Sequence, residues 1–467
     1  MRLEFVGAAR TVTGSKHIVR TKHATVLLDC GLFQGRRRES IERNKTLGFD
    51  PRELTAVVLS HAHIDHSGAL PILAKSGYGG PVFSTPATRD LCAAMLADAA
   101  MIQESDARYI NKRIELDQVA MEPVEPLYDQ DDVVRLLGQM ISLPYHRRLT
   151  IGPGVDLTFF DAGHVLGSAI TVLDLDEDGE QRRLVFTGDL GRHGMPILRD
   201  PECPPDADVL IMESTYGDRM HAPIGEMNSK LAAVVARVSK RGGKIVIPSF
   251  ALERAQEVVF SLKALKRQGQ MPAMPVYVDS PLTVKITDIF KLHPECFDAE
   301  TRALLEGRES PFDFEQLRYV STKEESKAID AEAEPSIIIS ASGMCEAGRV
   351  LHHLKATLED PKNAVLIVGF QAPDTLGRRL VEHRARVKVF GVERDVRAEI
   401  VVMNGFSAHA DQKDLLDFAD EASRGGRLKK IFLVHGEPGP QKAIVDLLRK
   451  SGTVTVSAPA AGEIADA

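Results

Sequence analysis

Short apolar runs, each closed by a glycine or an ionisable residue, set the rhythm of this chain. Leu3-Glu4-Phe5-Val6, His17-Ile18-Val19-Arg20 and Thr25-Val26-Leu27-Leu28-Asp29 read as strands separated by turns. Ala56-Val57-Val58-Leu59 reads as a buried strand. Thr88 to about Lys112 reads as a long helix, continued by a charged helical region to about Leu143. Strands return at Asp156–Asp161, Ala169–Leu173, Leu184–Thr187 and Val209–Glu213. From about residue 225 the pattern becomes helix, strand, helix, strand, with apolar cores at Ile245–Ile247, Val276–Val278, Ile337–Ile339 and Val365–Val368. Such alternation predicts a parallel α/β sheet. Residues 298–334, charged and poor in apolar positions, read as a surface excursion. Past residue 396 the first style resumes with Glu399–Val402, a helix from Gln412, the strand Ile431–Val434 and a helix near Lys442–Lys450. The tail from Ala458 has nothing to pack.

Ligand chemistry collects at the strand ends. His61-Ala62-His63-Ile64-Asp65-His66 follows the strand at Ala56. Two apart on extended backbone, His61 and His63 project to one side, while Asp65 and His66 follow as the chain turns and can face a second point. That is the layout of a two-metal site. His164 in Asp161-Ala162-Gly163-His164, Asp189 in Thr187-Gly188-Asp189 and His435 in Val434-His435-Gly436 repeat the device, with glycine letting the backbone turn beside a ligand. Imidazole and carboxylate donors suit zinc and also admit manganese or iron. The other histidines, His17 and His353 among them, read as structural.

Composition narrows the setting. The 467 residues predict two domains. Five cysteines lie far apart, which argues against a disulfide framework and against a thiolate metal site. No apolar run approaches the roughly 18 residues of a membrane span, and the N-terminus lacks a signal-peptide core. The expectation is a cytoplasmic protein with no membrane partner. The net charge of −8 argues weakly against a generally basic nucleic-acid coat, yet residues 215–395 carry 26 Lys and Arg against 25 Asp and Glu. Charge alone leaves the partner open. The run Arg36-Arg37-Arg38 reads as a solvated face.

With Asp29, His164 and Asp189 added, the histidine cluster resembles the signature of the metallo-β-lactamase fold. Glu213-Ser214-Thr215-Tyr216-Gly217-Asp218-Arg219, Phe406-Ser407-Ala408-His409-Ala410-Asp411 and Val434-His435-Gly436-Glu437 resemble the three added motifs of the β-CASP nucleases. That family includes the cleavage and polyadenylation endonuclease and bacterial and archaeal ribonucleases. The resemblance covers almost the whole chain, including Asp279-Ser280-Pro281-Leu282 and Thr375-Leu376-Gly377-Arg378. It implies two zinc ions, one held by His61, His63 and His164, the other by Asp65, His66 and His435, with Asp189 bridging. Asp29 would support them by hydrogen bonding. Glu213 would orient His409, which would protonate the leaving oxygen. Histidine rather than valine at position 435 is similar to the RNA-processing branch.

The chemistry of the residues agrees. Water between two divalent ions is deprotonated near neutral pH and can attack phosphorus in line. The departing 3′-oxygen then needs a proton, which a carboxylate-paired histidine can supply. The expected products carry a 5′-phosphate and a 3′-hydroxyl. In the insert, Pro248-Ser249-Phe250-Ala251 and Ser340-Ala341-Ser342-Gly343-Met344 each follow a strand and precede a helix, where backbone N–H groups can receive phosphate. Ser249, Ser342 and Gly343 are the candidate cradle, and Arg254, Arg349, Arg378 and Arg379 the candidate track.

The expected fold is α/β: an αββα sandwich formed by residues 1–215 and 396–467, with a parallel α/β β-CASP domain inserted at 216–395. The expected function is hydrolysis of RNA, single-stranded in preference, by internal cuts, stepwise removal from the 5′ end or both; a homodimer is left open. The rival is a thioesterase or lactonase on the same metals, which fold analogy alone would permit. Against it stands an insert of about 180 residues that a small substrate does not need. A non-catalytic RNA-binding subunit is a third reading, disfavoured by the complete ligand set.

Overall fold

The computed structural model describes residues 1–35, 37–116, 122–372, 374–450 and 454–467. Arg36 and the side chains of Arg37 and Arg38 lie outside that description, as do residues 117–121 of the expected charged helical region. Contacts divide the chain into two units. Residues 1–193, 200–220 and 409–467 form the first, and residues 194–199 and 221–408 the second.

The first unit is built on two seven-stranded sheets. One runs, in spatial order, through Glu463–Asp466, Arg2–Phe5, His17–Arg20, Thr25–Leu28, Ala56–Val58, Val82–Ser84 and Met140–Ser142. The other runs through Thr455–Ser457, Lys430–Val434, Val209–Glu213, Glu180–Phe186, Ala169–Glu177, Val155–Asp161 and Leu149–Gly152. Burial alternates residue by residue along Val155–Asp161, so one face of that strand points inward. Phe5, Val26, Val58 and Phe83 of one sheet meet Leu157, Phe159, Phe186, Ile211 and Phe432 of the other in a shared core. Each such side chain contributes about 1.5–3 kcal/mol by leaving water. The outer face of the second sheet buries Val172, Leu210, Met212 and Leu433 against Leu415, Phe418, Ile444 and Leu448. Those come from the helices Gln412–Ser423 and Pro438–Lys450, the first opened by an Asp411–Asp414 capping box. This is the αββα sandwich.

The tail is not idle. Glu463–Asp466 pairs antiparallel with Arg2–Phe5, closing the sheet at its edge. An edge strand is held by backbone pairing and can stay polar, which hid it from the apolar pattern.

The second unit holds a six-stranded, wholly parallel sheet in the order Leu317–Val320, Val276–Asp279, Ile337–Ser340, Ile245–Pro248, Ala364–Ile367, Glu399–Val402. Its last strand is the run that the sequence pattern groups with residues 396–467. The division by contacts therefore falls after residue 408 rather than 395. Residues 298–334 are also more than an excursion: they supply the opposite edge strand and the helices Ala299–Glu306 and Lys323–Ala331. Edge position explains their poverty in apolar residues. Among the described residues, no helix is long and apolar enough to cross a membrane.

Candidate metal centre

The candidate ligands stand at the ends of strands of the first unit. His61 follows Ala56–Val58 by two residues, and His63 caps the one-turn helix Ile64–Ser67 that carries Asp65 and His66. His164 follows Val155–Asp161, Asp189 follows Glu180–Phe186, and His435 follows Lys430–Val434. Two glycines make room for this convergence. A Cβ on Gly31 would lie 1.6 Å from the Asp65 carbonyl oxygen, and one on Gly188, at φ +56°, would lie 2.6 Å from Ser60 Cβ.

Two groups of donors result. His61, His63, His164 and Asp189 present ligand atoms all within 4.8 Å of one another, as do Asp65, His66 and His435. His63 Nδ1 lies 3.1 Å from His61 Nε2 and 3.4 Å from His164 Nε2. In the other group His66 Nε2 lies 3.2 Å from His435 Nε2, and Asp65 Oδ2 lies 3.6 Å from His435 Nε2. Asp189 joins the groups. Its Oδ2 is 3.5 Å from both His61 and His164 Nε2, while its Oδ1 is 3.3 Å from His66 and 3.2 Å from His435. A third grouping, Asp189 with His409 and His435, shares the same space.

These residues fit divalent cations. Imidazole nitrogens facing each other at hydrogen-bond distance cannot all carry protons, and buried lone pairs need a positive partner. Asp189 Oδ1 is buried and accepts no hydrogen bond. Burial pushes His61 well below its ordinary range and His63 down to about 4, which leaves both as neutral ligands. Burial opposes the charged form of His66 too, but Asp189 and Asp29 outweigh it and raise that imidazole well above its usual value. A bound cation reverses this sign, since it competes with the proton for the same lone pair.

The supporting contacts come from Asp29, which the family resemblance implied, and from serine and threonine side chains that the sequence reading did not single out. Asp29, at φ +60°, receives His66 Nδ1–H at 2.7 Å, directing Nε2 into the site. The Asp29 carboxylate is itself fixed by the Ser60 N–H at 2.8 Å and by the Ser60 and Ser15 hydroxyls. Ser60 Oγ also lies 3.0 Å from His61 Nδ1, and Thr215 Oγ1 lies 3.2 Å from His435 Nδ1. Ser60 directly precedes His61, and Thr215 stands two residues after Glu213 within the same motif; those positions were the signals that could have pointed to them.

Beside the donor groups sits the pair expected to handle a proton. His409 Nδ1 lies 3.1 Å from Glu213 Oε1, and His409 is part of a bridge with Gly191. Glu213 is fully buried and also accepts the Leu190 N–H at 2.7 Å and the Thr215 N–H at 3.2 Å. Against the effect of burial, Glu213 and Asp189 raise the His409 imidazole to about 9.

In the second unit, Ser249, Ser342 and Gly343 lie on loops after the adjacent strands Ile245–Pro248 and Ile337–Ser340. The Phe250 ring packs so closely on Gly343 that a Cβ there would lie 2.9 Å from it. Ser342 Oγ accepts the Glu346 and Ala347 N–H groups at 3.3 Å. Arg254 is buried and paired with Glu257. Arg349 donates to Asp279 at 2.6 Å and to the Ser321 carbonyl at 2.7 Å. Arg378 is exposed and donates to Glu382 at 2.9 Å, and Arg379 donates to the Asp374 carbonyl at 3.1 Å.

Three family descriptions match in order along the chain. Residues 14–247 match the metallo-beta-lactamase superfamily, 255–380 the Beta-Casp domain and 393–459 the Zn-dependent metallo-hydrolase RNA specificity domain. The chain is 38% identical to Ribonuclease TTHA0252 of Thermus thermophilus over 97% of each protein. It is 33% identical to the transcription termination factor FttA of Methanosarcina mazei, over 96% of this chain and 68% of that one. FttA of Methanocaldococcus jannaschii is also 33% identical, over 96% and 69%. In fold, the chain is similar to a protein of unknown function from Enterococcus faecalis V583, with a TM-score of 0.56 over 99% of both chains at 13% identity.

Proposed function

Because the chain belongs to the β-CASP family of metallo-β-lactamase-fold hydrolases, we propose that it is a metal-dependent ribonuclease that cuts single-stranded RNA to leave 5′-phosphate and 3′-hydroxyl ends. One observation carries the reading: two buried donor groups share Asp189, and a carboxylate-oriented histidine stands beside them. The sharing argues for two ions. His61, His63, His164 and Asp189 would hold one, and Asp65, His66, His435 and Asp189 the other. Imidazole and carboxylate donors favour zinc, with manganese or iron admitted by the same chemistry. Bound there, such ions supply Lewis acidity, drawing charge from phosphate oxygens and acidifying water near neutral pH.

The chain's own groups do the rest. Asp29 holds the proton on His66 Nδ1, so that the opposite nitrogen stays a ligand. Glu213 holds the Nδ1–H of His409, which leaves Nε2 as the nitrogen that gives a proton to the departing 3′-oxygen. In the second unit the Ser249 and Ser342 N–H groups already donate to the Ser340 and Ala347 carbonyls at 3.0 and 3.2 Å, so of the expected cradle Gly343 would offer its N–H to the RNA backbone, and exposed Arg378 would add charge. Arg254 and Arg349, already engaged with Glu257 and Asp279, would shape those loops. A reducing cytoplasmic setting accords with five free cysteines.

The test is digestion of end-labelled single-stranded RNA, with duplex DNA and a thioester as controls. RNA should be cut, and its product ladder distinguishes internal cuts from stepwise removal. Hydrolysis of the thioester without cleavage of RNA would overturn the proposal in favour of a small-ester hydrolase.

A further inference from the structure

The helix Pro86–Glu115 of the first unit ends with a solvent face of unusual composition. Ala87, Leu91, Leu96, Ala100 and Ala107 are buried, as an amphipathic helix requires. The opposite face should then be polar. Instead Met101, Ile102, Tyr109 and the helix-capping Leu116 are 51–62% exposed. Among the described residues, four of fifteen exposed large apolar side chains thus crowd into sixteen positions.

Their spacing is ordered. Ile102, Tyr109 and Leu116 recur every seven residues, which at about 100° per residue keeps all three within about 20° of one line. Asp106 and Arg113 lie on one flank of that line, about 60° and 40° round from Tyr109, and Ser105 and Lys112 lie symmetrically on the other. Arg113 leans over the Tyr109 ring, its guanidinium carbon 5.9 Å from the centroid. Charged groups around the face are balanced, with Glu104, Asp106 and Glu115 against Arg108, Lys112 and Arg113. A polyanion would require one sign. A balanced face with an apolar seam fits a protein helix of matching pattern, and the helix matches itself.

We propose that this face is a self-association surface on which two copies of the chain pair these helices antiparallel about a two-fold axis level with Tyr109. In that arrangement Tyr109 meets Tyr109, and Ile102 meets Leu116 of the second copy. The axis brings residues of the same flank together, so Asp106 faces Arg113 of the second copy twice over, and Lys112 faces Ser105. Parallel pairing would instead set Arg113 against Lys112 of the second copy, a like-charge contact. Charge therefore selects the antiparallel form. The seam is about 21 Å long, which gives an interface below the roughly 1,200 Å² of stable complexes. Association is accordingly weak and concentration-dependent.

The test uses the full-length chain in sedimentation velocity and by cross-linking. Four of the five native cysteines are buried, and Cys203 is replaced by serine. Oxidation should link Tyr109→Cys into a dimer. Ile102→Cys and Leu116→Cys should each stay unlinked alone and link when mixed. Asp106→Arg and Arg113→Asp should each weaken self-association at least tenfold and restore it when combined, since both contacts are then attractive. A chain that stays monomeric up to its solubility limit, linkage of Ile102→Cys to itself, or a dimer indifferent to these charge reversals would overturn the proposal.

Discussion

Replacing Glu213 with glutamine tests the proton-donor assignment with little change of shape. The carboxylate takes three hydrogen bonds and gives none: Oε1 receives Leu190 N–H and His409 Nδ1–H, and Oε2 receives Thr215 N–H. Glutamine keeps the Oε1 pair only by turning its NH₂ toward the Thr215 N–H, placing donor against donor at a contact of 3.2 Å. A buried donor left without an acceptor costs about 1–3 kcal/mol, and stability should fall by that amount. The larger effect should be on rate. Without the buried negative charge, His409 loses the charge-assisted bond that favours its protonated form. General acid catalysis is worth roughly 10²–10⁴ in rate, so Glu213→Gln should lower single-turnover cleavage by about 10²-fold, or about 2.7 kcal/mol. RNA affinity and bound metal should hardly change, since Glu213 belongs to neither donor group. His409→Ala should fall at least as far, and the double variant no further, because the two act as one unit. The assay is rapid-quench cleavage of end-labelled RNA with metal content measured on the same samples. Wild-type rate in Glu213→Gln, or losses that simply add in the double variant, would refute the assignment.

Other consequences are equally open to measurement. Asp29→Asn, which weakens the hold on His66 Nδ1, should lower metal affinity by roughly 10–100-fold in a chelator competition. Gly188→Ala forces a Cβ into Ser60 at positive φ; it should destabilise the chain by about 1–3 kcal/mol in urea unfolding. In the second unit, buried His353 bridges Asp279 and Asp330, each at 2.7 Å, so both ring nitrogens donate and the ring is charged. Burial disfavours that charge, but the two carboxylates raise the His353 value, and despite its own burial Asp279 is lowered by His353, Ser326 and Arg349. The His353 contribution is fully present below the unfolded value near 6.5 and is lost as pH rises through the folded one. The Asp279 contribution is present above about 3.9 and is lost as pH falls. The network should therefore stabilise most between about pH 4 and 6.5. His353→Leu should flatten the alkaline loss in denaturant midpoint, and an unchanged pH profile would refute a charged His353.

Much of the site is written locally. Strand, turn and ligand follow one another at His61, His164, Asp189 and His435, so residue type and position at a strand end can be read without any partner strand. Parallel and antiparallel sheets likewise announce themselves in the spacing of apolar runs. Partnership does not. Glu399–Val402 reads as a strand in either unit, and only its pairing with Ala364–Ile367 assigns it. Glu463–Asp466 offers only Ile464 and Ala465 between two acidic residues, too short an apolar run to read as a strand, and it is the backbone pairing with Arg2–Phe5 that places it.

The sequence by itself determined the donor chemistry, the α/β class and the family resemblance, since those depend on residue type, short-range period and motif order. The tertiary structure decided which donors share a centre. Asp189 can face both groups only because strands from residues 56, 155, 180, 209 and 430 end on one side of the sandwich. It also decided that Ser15, Ser60 and Asp29 form one network beneath His66, although 45 residues of sequence separate its ends. Hydrogen bonds and ligand shells form across angstroms of space, while a sequence pattern records only distance along the chain.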